Sequence, residues 1–275
     1  MRRQSSAMFA LAGTPSATLQ IDGLPYQLRQ VFKHDFWAAA CLYVCDDASA
    51  RFARVVVKFG RECRFGPLPM KWVGRAMVAH ECDIYRALHG MSGVPAFIGR
   101  LSPTCFAMEF IEGKPLDHHD RAPAGFFEKL RAVFSQMHLR GIAYVDANKR
   151  SNVIVQPDGN PVVIDFQISL RRRSANVLLW PLIRYMQGKD LYHALKHKRR
   201  MAPDELTAEE LAVCKRRTGL HWLHRKLTKP YRALRRGYLN GKFKEGRLIS
   251  PTADLETHHQ PEKDSWRRDD GGKRK

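Results

Sequence analysis

The sequence lacks an apolar run long enough to cross a lipid bilayer as a helix, which takes about 20 residues. The stretch 177–183 is apolar but far too short. It also lacks a Cys-x-x-Cys pair and any second Cys/His cluster that would complete a metal site. The six cysteines therefore indicate reduced thiols, and we expect a cytoplasmic protein.

Acidic residues are scarce relative to basic ones. The chain has 27 Asp and Glu against 47 Lys and Arg, which gives a formal net charge of +20. From residue 171 to the end there are 27 basic and 12 acidic residues, so most of the excess lies there. Such a charge favours an anionic partner: nucleic acid, an acidic membrane, or a phosphorylated sugar or nucleotide. Charge alone does not choose among them.

The pattern of apolar residues predicts strands first and helices later. Strands are predicted over residues 28–32, 36–44, 54–59 and 105–111. Helices are predicted over residues 72–89 and 124–139, with further helical stretches beyond residue 174. The second helix has an apolar stripe formed by Phe127, Leu130, Val133 or Phe134, and Met137, and Gly141 is predicted to stop it. This order predicts an α+β fold in two lobes: a small β-rich N-lobe with one helix, and a larger helical C-lobe.

The predicted organisation has four parts, which follow the changes in composition and periodicity. They are a flexible N-terminal tail (1–18), the N-lobe (19–112), the C-lobe (113–250) and a disordered, charged tail (251–275). The N-terminal tail is predicted to be flexible because Gly13 and Pro15 directly follow its short apolar run.

Two charged residues in the predicted N-lobe stand among apolar neighbours. Lys58 lies near the end of an apolar strand, which alone means little because edge strands often carry lysine. Glu81 lies on the apolar face of its helix, between Met77 and Ile84. An unpaired carboxylate is costly there, so Glu81 is expected to pair with a cation such as Lys58. The alternative is a glutamate that reaches solvent from the edge of the stripe.

The most specific pattern lies between residues 138 and 167. Two apolar strands, 152–155 and 161–164, flank a Pro-Asp-Gly-Asn turn, which predicts a hairpin. The hairpin brings Asn152 and Asp165 together, and two oxygen side chains suit Mg²⁺, which takes few protein ligands besides phosphate oxygens. Asp146 precedes the first strand and can act as a base or orienting group for a substrate hydroxyl.

The ordered set of Lys58, Glu81, the segment 108–113, Asp146 with Asn152, and Asp165-Phe166-Gln167 resembles the protein-kinase-like superfamily over about residues 25–170. The resemblance implies that ATP and Mg²⁺ are used. It implies that Lys58 contacts the ATP phosphates, that Glu81 anchors Lys58, and that the segment with Glu109 and Ile111 lines the adenine site. Asp146 would be the catalytic aspartate, with Asn152 and Asp165 as magnesium ligands.

Several departures make the chain unlike eukaryotic protein kinases. The segment 33–38 stands where a glycine-rich phosphate loop is usual, and Gln167 replaces the last glycine of Asp-Phe-Gly. Asn152 lies six residues after Asp146 instead of five, which leaves Asn148 as a second candidate for its role. The chain is more similar to compact bacterial kinases of the lipopolysaccharide core (Kdo and heptose kinases) and to RIO-like atypical kinases.

These observations predict an ATP-dependent phosphotransferase that acts on a hydroxyl of a lipopolysaccharide-core sugar or of a protein Ser/Thr. The alternative is a pseudokinase or basic module that holds an anionic membrane, glycolipid or RNA. Basic clusters recur in the C-terminal helical stretches, at residues 196–200, 215–217 and 232–236. They predict either a peripheral contact with the inner face of an acidic membrane or a solvated helix face; RNA is the minority interpretation.

Overall fold

The computed structural model describes residues 8–215, 250, 252 and 255. They group into two compact units. The first takes its residues from Met1–Val78, Arg100–Ala107 and Thr218–Lys275, and the second from Ala79–Gly99 and Met108–Arg217. These limits differ from the division at residue 112 drawn from the sequence, which stays a prediction.

The described strands and helices follow the predicted order, strands first and helices later. The strands are β1 (Thr18–Ile21), β2 (Leu24–His34), β3 (Ala38–Val44), β4 (Arg54–Gly60), β5 (Phe97–Ser102), β6 (Cys105–Glu109), β7 (Lys114–Pro115), β8 (Ile142–Ala143), β9 (Val153–Val155), β10 (Pro161–Val163) and β11 (Leu170–Arg171). The α-helices are α1 (Lys71–Ala87), α2 (Phe126–Leu139), α3 (Trp180–Met201) and α4 (Ala208–Lys215), and short 3₁₀ turns cover Leu116–His118, Arg150–Asn152, Ser174–Leu179 and Pro203–Glu205.

The first unit is built on a sheet with the strand order β1-β2-β3-β4-β6-β5. The pairs β1–β2, β2–β3 and β3–β4 are antiparallel. Alternate residues of β3, namely Ala39, Cys41 and Tyr43, are fully buried, as expected where one face of a strand meets the core. In β4 the burial is continuous from Val55 to Lys58, so the lysine belongs to a buried strand rather than to an exposed edge.

A tight turn over residues 35–37 joins β2 to β3. The carboxylate of Asp35 accepts hydrogen bonds from the backbone N–H groups of Trp37 (2.8 Å) and Ala38 (2.9 Å). Burial opposes ionisation, but the Lys33 ammonium 2.8 Å away and these amides hold the pKa of Asp35 below its ordinary value. The buried Arg61 guanidinium lies over the Phe36 ring and donates to the Phe36 carbonyl at 2.7 Å.

Part of the N-terminal segment is buried, although a flexible tail is predicted there. Phe9, Ala10 and Leu11 are buried, and the N–H of Ala10 donates to the carbonyl of Asp35 at 2.7 Å. Arg61 also donates to the carbonyl of Phe9 at 3.0 Å. Gly13 and Pro15 after these apolar residues favour a flexible lead, but burial beside the β2–β3 turn stabilises the segment instead.

The second unit is organised around α2. Its buried face is formed by Phe126, Phe127, Leu130, Val133, Phe134 and Met137. This is the apolar stripe that the sequence predicts, and the predicted stop is confirmed too. Gly141 follows the helix with φ 73° and donates to the carbonyl of His138 at 2.9 Å, a left-handed ending that favours glycine.

The predicted hairpin is confirmed as β9 and β10, which pair antiparallel with Val153 opposite Val163. The turn is closed by the N–H of Gln156, which donates to the carbonyl of Asn160 at 3.0 Å. Asp158 accepts the N–H of Asn160 at 2.9 Å. Both strands are short and almost wholly buried, so the hairpin is part of the core of the second unit.

A buried ammonium group on helix α3 forms ion pairs with α2 and α4. Lys198 is only 3% exposed, and its Nζ donates to Glu128 of α2 at 2.5 Å and to Glu210 of α4 at 2.8 Å. Two charge-assisted bonds to one buried cation offset part of the cost of burying it. Of the basic C-terminal clusters, the side chains of residues 215–217 and 232–236 lie outside the described residues, as does most of the charged tail predicted over 251–275.

In the part of the chain that the structure describes, no helix combines the length and apolar character needed to span a membrane. All six cysteines are free thiols, as the sequence predicts. Cys41, Cys45, Cys82 and Cys105 are buried. Their burial fits the use of cysteine as a small apolar side chain.

Candidate active site

Two of the predicted site residues, Asp146 and Asn152, meet in the second unit. The loop from residue 144 to 149 leads into the 3₁₀ turn Arg150–Asn152, which ends at β9. The Nδ2 group of Asn152 donates to Oδ2 of Asp146 at 2.9 Å. Asn152 is buried, whereas Asn148 is exposed and accepts from Lys196 at 3.4 Å. The geometry therefore favours Asn152 over Asn148 as the partner of Asp146.

Asp165 follows β10 and lies close to the same group. The N–H of Ile164 donates to the carbonyl of Asn152 at 3.0 Å, which extends the hairpin to the residue before Asp165. Asp165 has φ 66°, a left-handed conformation that is uncommon outside glycine but tolerated by aspartate. Such outliers persist where the surrounding structure holds them. The hairpin thus places Asp165 near Asp146, which Asn152 contacts, while the roles of the three residues stay a prediction.

The electrostatics of Asp146 are set by opposing effects. Burial raises the pKa of its carboxyl group above the ordinary value, and the negative charge of Asp165 acts in the same direction. The ammonium of Lys149, 2.8 Å away, and the amide of Asn152 oppose the rise. A carboxylate with a raised pKa and a half-exposed ammonium beside it is suited to accept or orient a proton.

Phe166 fixes the segment that carries Asp165. Its fully buried ring contacts Tyr85 edge-on at 5.0 Å between centroids and Tyr144 at 5.5 Å. Its N–H donates to Oε1 of Glu81 at 3.0 Å. The hydroxyl of Tyr144 donates to the carbonyl of Ile164 at 2.6 Å. The residues on both sides of Asp165 are therefore held by buried contacts.

Glu81 and Lys58 are both buried, at 1% and 6% exposure. Glu81 belongs to the second unit and accepts the Phe166 N–H, a partner that the sequence does not reveal. Lys58 belongs to the first unit, on β4 opposite Ala40 of β3. The pairing of Lys58 with Glu81 joins residues of two units and stays a prediction.

The predicted adenine segment begins at the end of β6. Oε2 of Glu109 accepts the N–H of Ala96 at 3.0 Å, and the Glu109 N–H donates to the Ala96 carbonyl at 2.9 Å. The side chain of Glu109 is therefore engaged within its own unit. Ile111 follows two residues later and is half-buried. Their contact with a nucleotide is a prediction.

The donor set for a metal ion is sparse. Within residues 8–215 and the few described positions beyond them, no group of three or more His, Cys, Asp or Glu is placed to hold one. Mg²⁺ takes only one or two protein ligands and keeps waters and substrate oxygens in most of its positions. The Asp165 carboxylate and the Asn152 amide oxygen fit that pattern.

Asp190 is a site residue that the sequence analysis missed. It lies on α3, is fully buried, and accepts the N–H groups of Tyr144 and Val145, each at 2.8 Å. Its carboxylate also contacts Nε2 of His138 at 3.1 Å. Val145 has φ 73°, which is strained for a β-branched residue, and Asp146 comes next. An isolated aspartate between Lys189 and Leu191 gave no sequence signal beyond its place on a predicted helix.

His197 supports the same loop from the end of α3. It is buried, and its Nε2 lies 3.0 Å from the carbonyl of Ala147, the residue after Asp146. Burial, together with the positive charges of Arg150 and Lys196, lowers the pKa of His197 to about 4, although the hydrogen bond to Ala147 opposes the shift. The ring is therefore neutral at pH 7 and donates to Ala147.

The chain is similar in structure to a fungal kinase. A structure of the Rio2 kinase-ADP/Mg²⁺-phosphoaspartate complex from Chaetomium thermophilum matches it with a TM-score of 0.50 and 14% identity, over 65% of this chain and 56% of that one. A further structure of the Rio2 kinase from the same organism gives a TM-score of 0.48 and 15% identity, over 60% and 54%. No protein-family model and no curated protein matches the chain.

The likeness to the Rio2 complex settles the fold. The chain has a protein-kinase-like α+β fold. At this identity the comparison shows the fold alone, and the matched part spans little more than half the length of those kinases. Activity must therefore be argued from the residues of the site.

We predict that Asp190→Asn loosens the loop before Asp146. An asparagine side chain has only one acceptor oxygen. Its NH₂ group would therefore face one of the two backbone N–H groups whose hydrogen bonds the carboxylate accepts. The free energy of unfolding should fall by about 2–4 kcal/mol. In hydrogen exchange the amides of Tyr144 and Val145 should exchange faster. Asp204→Asn, on the surface, is the control and should stay within about 0.5 kcal/mol. Unchanged protection at both amides would contradict the assigned role.

We predict a pH-dependent loss of stability from His197. The pKa of His197 is about 4 in the folded protein, against an ordinary value of 6.5. Its contribution to the free energy of unfolding is therefore complete above pH 6.5 and is lost as the pH falls from 6.5 to 4. Between pH 7 and 5 this amounts to about 2 kcal/mol. His197→Gln keeps a donor for Ala147 but does not titrate. In urea unfolding the variant should lose less stability over this range; equal losses would disprove the assignment.

Proposed function

We propose that the chain is an ATP-dependent phosphotransferase that moves the γ-phosphoryl group of ATP to a hydroxyl of an anionic acceptor. The observation that carries the proposal is the cluster of Asp146, Asn152 and Asp165 on a protein-kinase-like fold. Each residue has the chemical type and the local support that phosphoryl transfer requires.

Asp146 is assigned to the acceptor. Its carboxylate orients the hydroxyl and takes its proton as the acceptor oxygen bonds to the γ-phosphorus and ADP leaves. Asp165 and the amide oxygen of Asn152 would hold Mg²⁺, which supplies positive charge to the phosphate oxygens. Lys149, beside Asp146, adds a positive charge at the same place.

The nucleotide is assigned to residues that the family resemblance implies. Lys58 would contact the ATP phosphates, Glu81 would anchor Lys58, and the backbone around Glu109 and Ile111 would line the adenine site. A lysine on a buried strand supports this assignment, because burying an ammonium is costly unless it has an anionic partner.

Four cations around the catalytic loop support an anionic acceptor. Lys196 contacts Asn148 at 3.4 Å, and Lys149 contacts Asp146 at 2.8 Å. Burial and then the nearby charge of Arg200 lower the pKa of Arg150, while Asp117 opposes this. Cations close enough to affect one another gain from a bound anion. A lipopolysaccharide-core sugar that carries carboxylate or phosphate groups fits this chemistry better than a neutral Ser/Thr peptide.

The alternative function, a pseudokinase that binds an anionic partner, is favoured by the turn over residues 35–37. It occupies the place of the glycine-rich loop, but the N–H groups of Trp37 and Ala38 already donate to Asp35. The N–H of Asp35 donates to the carbonyl of Ala38 at 2.9 Å. These amides are not offered to a phosphate, and the Asp35 carboxylate would repel one.

We predict that Asp146→Ala and Asp165→Ala each reduce ATP-dependent transfer at least about a hundredfold, because each removes a group that acts on the reacting atoms. The assay measures radiolabel transferred from ATP to cell-envelope, protein and RNA fractions. Asp120→Ala, an exposed carboxylate of the same unit, is the control and should retain activity. Activity retained in both site variants would refute the proposal.

A thermal-shift titration separates the two functions. Mg-ATP that binds only the folded protein raises its melting temperature, whether or not transfer follows. An enzyme should show the shift and lose it in Lys58→Ala. No shift in the wild-type protein, together with no transfer, would favour the binding module.

We predict that the Lys196→Glu, Arg200→Glu double variant weakens acceptor use more than nucleotide use. Reversing two exposed charges should raise the apparent KM for the labelled fraction about fivefold or more at low salt, and less at high salt. The KM for ATP should change less than twofold. Arg131→Glu, exposed on α2, is the control for a charge reversal away from this group of cations. Equal changes in both KM values would contradict an acceptor site here.

A further inference from the structure

The segment that follows Asp165 exposes a group of large apolar side chains. Leu178 is 91% exposed, and no side chain of the 3₁₀ turn Ser174–Leu179 is buried. The exposed apolar residues here, called the apolar ridge, are Val177, Leu178, Leu179, Trp180, Leu182 and Tyr185. Six such residues within nine positions exceed the scattered exposure of ordinary surfaces. The ridge is therefore a candidate binding surface.

Positive charge surrounds the apolar ridge. From residue 166 to 189 the sequence has five Lys/Arg and no Asp or Glu. Arg171 and Arg173 form ion pairs with Asp83 of α1. Arg172 lies over the Trp180 ring, 4.9 Å from its centroid, and Lys189 lies 5.2 Å from the Tyr185 ring. Cations that lie over aromatic rings beside exposed leucines are complementary to a partner whose surface is apolar at its centre and anionic at its rim.

We propose that the apolar ridge inserts into the surface of an anionic lipid bilayer. Val177, Leu178 and Leu179 enter the acyl boundary, Trp180 and Tyr185 lie at headgroup depth, and Arg172, Arg184 and Lys189 contact lipid phosphates. Trp and Tyr favour this depth because they combine an apolar body with a polar tip. The Trp180 N–H donates to the Arg173 carbonyl at 3.0 Å, which keeps the indole on the turn.

The charge of the segment favours an anionic bilayer over a second copy of this chain. An acid-free stretch with several cations is repelled by a second copy of itself and attracted to a sheet of anionic headgroups. The turn and the first part of α3 also present the apolar residues close together in sequence, as an interfacial anchor does. This contact differs from the basic clusters at residues 196–236, because it requires apolar insertion and not charge alone.

The test measures binding of the full chain to vesicles without nucleotide, so that its result does not depend on phosphoryl transfer. The wild-type protein should sediment with phosphatidylcholine vesicles that contain phosphatidylglycerol, and much less with pure phosphatidylcholine. The Val177→Ser, Leu178→Ser double variant should lower the partition coefficient about tenfold or more, because two apolar side chains no longer leave water. The matched control is Leu211→Ser with Val213→Ser, which are exposed on α4 and should have little effect.

Tryptophan quenching by brominated lipid gives a second measurement. The chain has five tryptophans, so Trp180→Phe identifies the contribution of this one. Quenching that is present in the wild-type protein and reduced in Trp180→Phe supports insertion. Unchanged partition of the Val177→Ser, Leu178→Ser variant, or an equal loss in the α4 control, overturns the proposal. So does a lipid-independent dimer of the wild-type protein that this variant loses, because the ridge would then be a protein interface.

Discussion

The candidate site depends on two backbone N–H groups, those of Tyr144 and Val145, that donate to the buried carboxylate of Asp190. Val145 is held at φ 73°, where its β-branched side chain is disfavoured, so the chain needs a compensating contact at that point. Bonds from amides to a buried carboxylate are charge-assisted and stronger than neutral ones. They fix the backbone conformation directly before Asp146. Asp190 is not assigned a contact with any reacting group. It nevertheless sets the geometry of Asp146, which is proposed to act on the acceptor hydroxyl.

A second buried contact does the same for Asp165. Glu81 accepts the Phe166 N–H, and the Phe166 ring lies between Tyr85 and Tyr144. Tyr144 takes part in both arrangements, since its N–H reaches Asp190 and its hydroxyl reaches Ile164. The loop before Asp146 and the strand before Asp165 are therefore coupled through one side chain. All these residues, and Asn152 with them, belong to the second unit.

The sequence predicted what periodicity and turn chemistry encode, and missed what depends on tertiary contacts. The stripe of α2, the stop at Gly141 and the hairpin with its turn are local patterns, and they were confirmed. The short strands β7, β8 and β11 have two residues each and no periodicity to detect. Asp190 and His197 escaped because their partners lie about 45 to 50 residues earlier in the chain. The burial of the segment around Ala10 was missed because Gly13 and Pro15 read as a flexible lead.

The turn over residues 35–37 bears on how phosphate could be recognised. A glycine-rich loop offers backbone amides as a cradle, but here Asp35 occupies the amides of Trp37 and Ala38, and a side chain in place of glycine keeps the backbone from a close approach. The proposed function therefore assigns affinity for phosphate to point charges: the ammonium of Lys58, a magnesium ion, and the cations beside the catalytic loop. Point charges attract at longer range than amide dipoles but are screened by salt and impose less geometry. A site of this kind would select its ligands by charge before shape, which is consistent with the basic character of the whole chain.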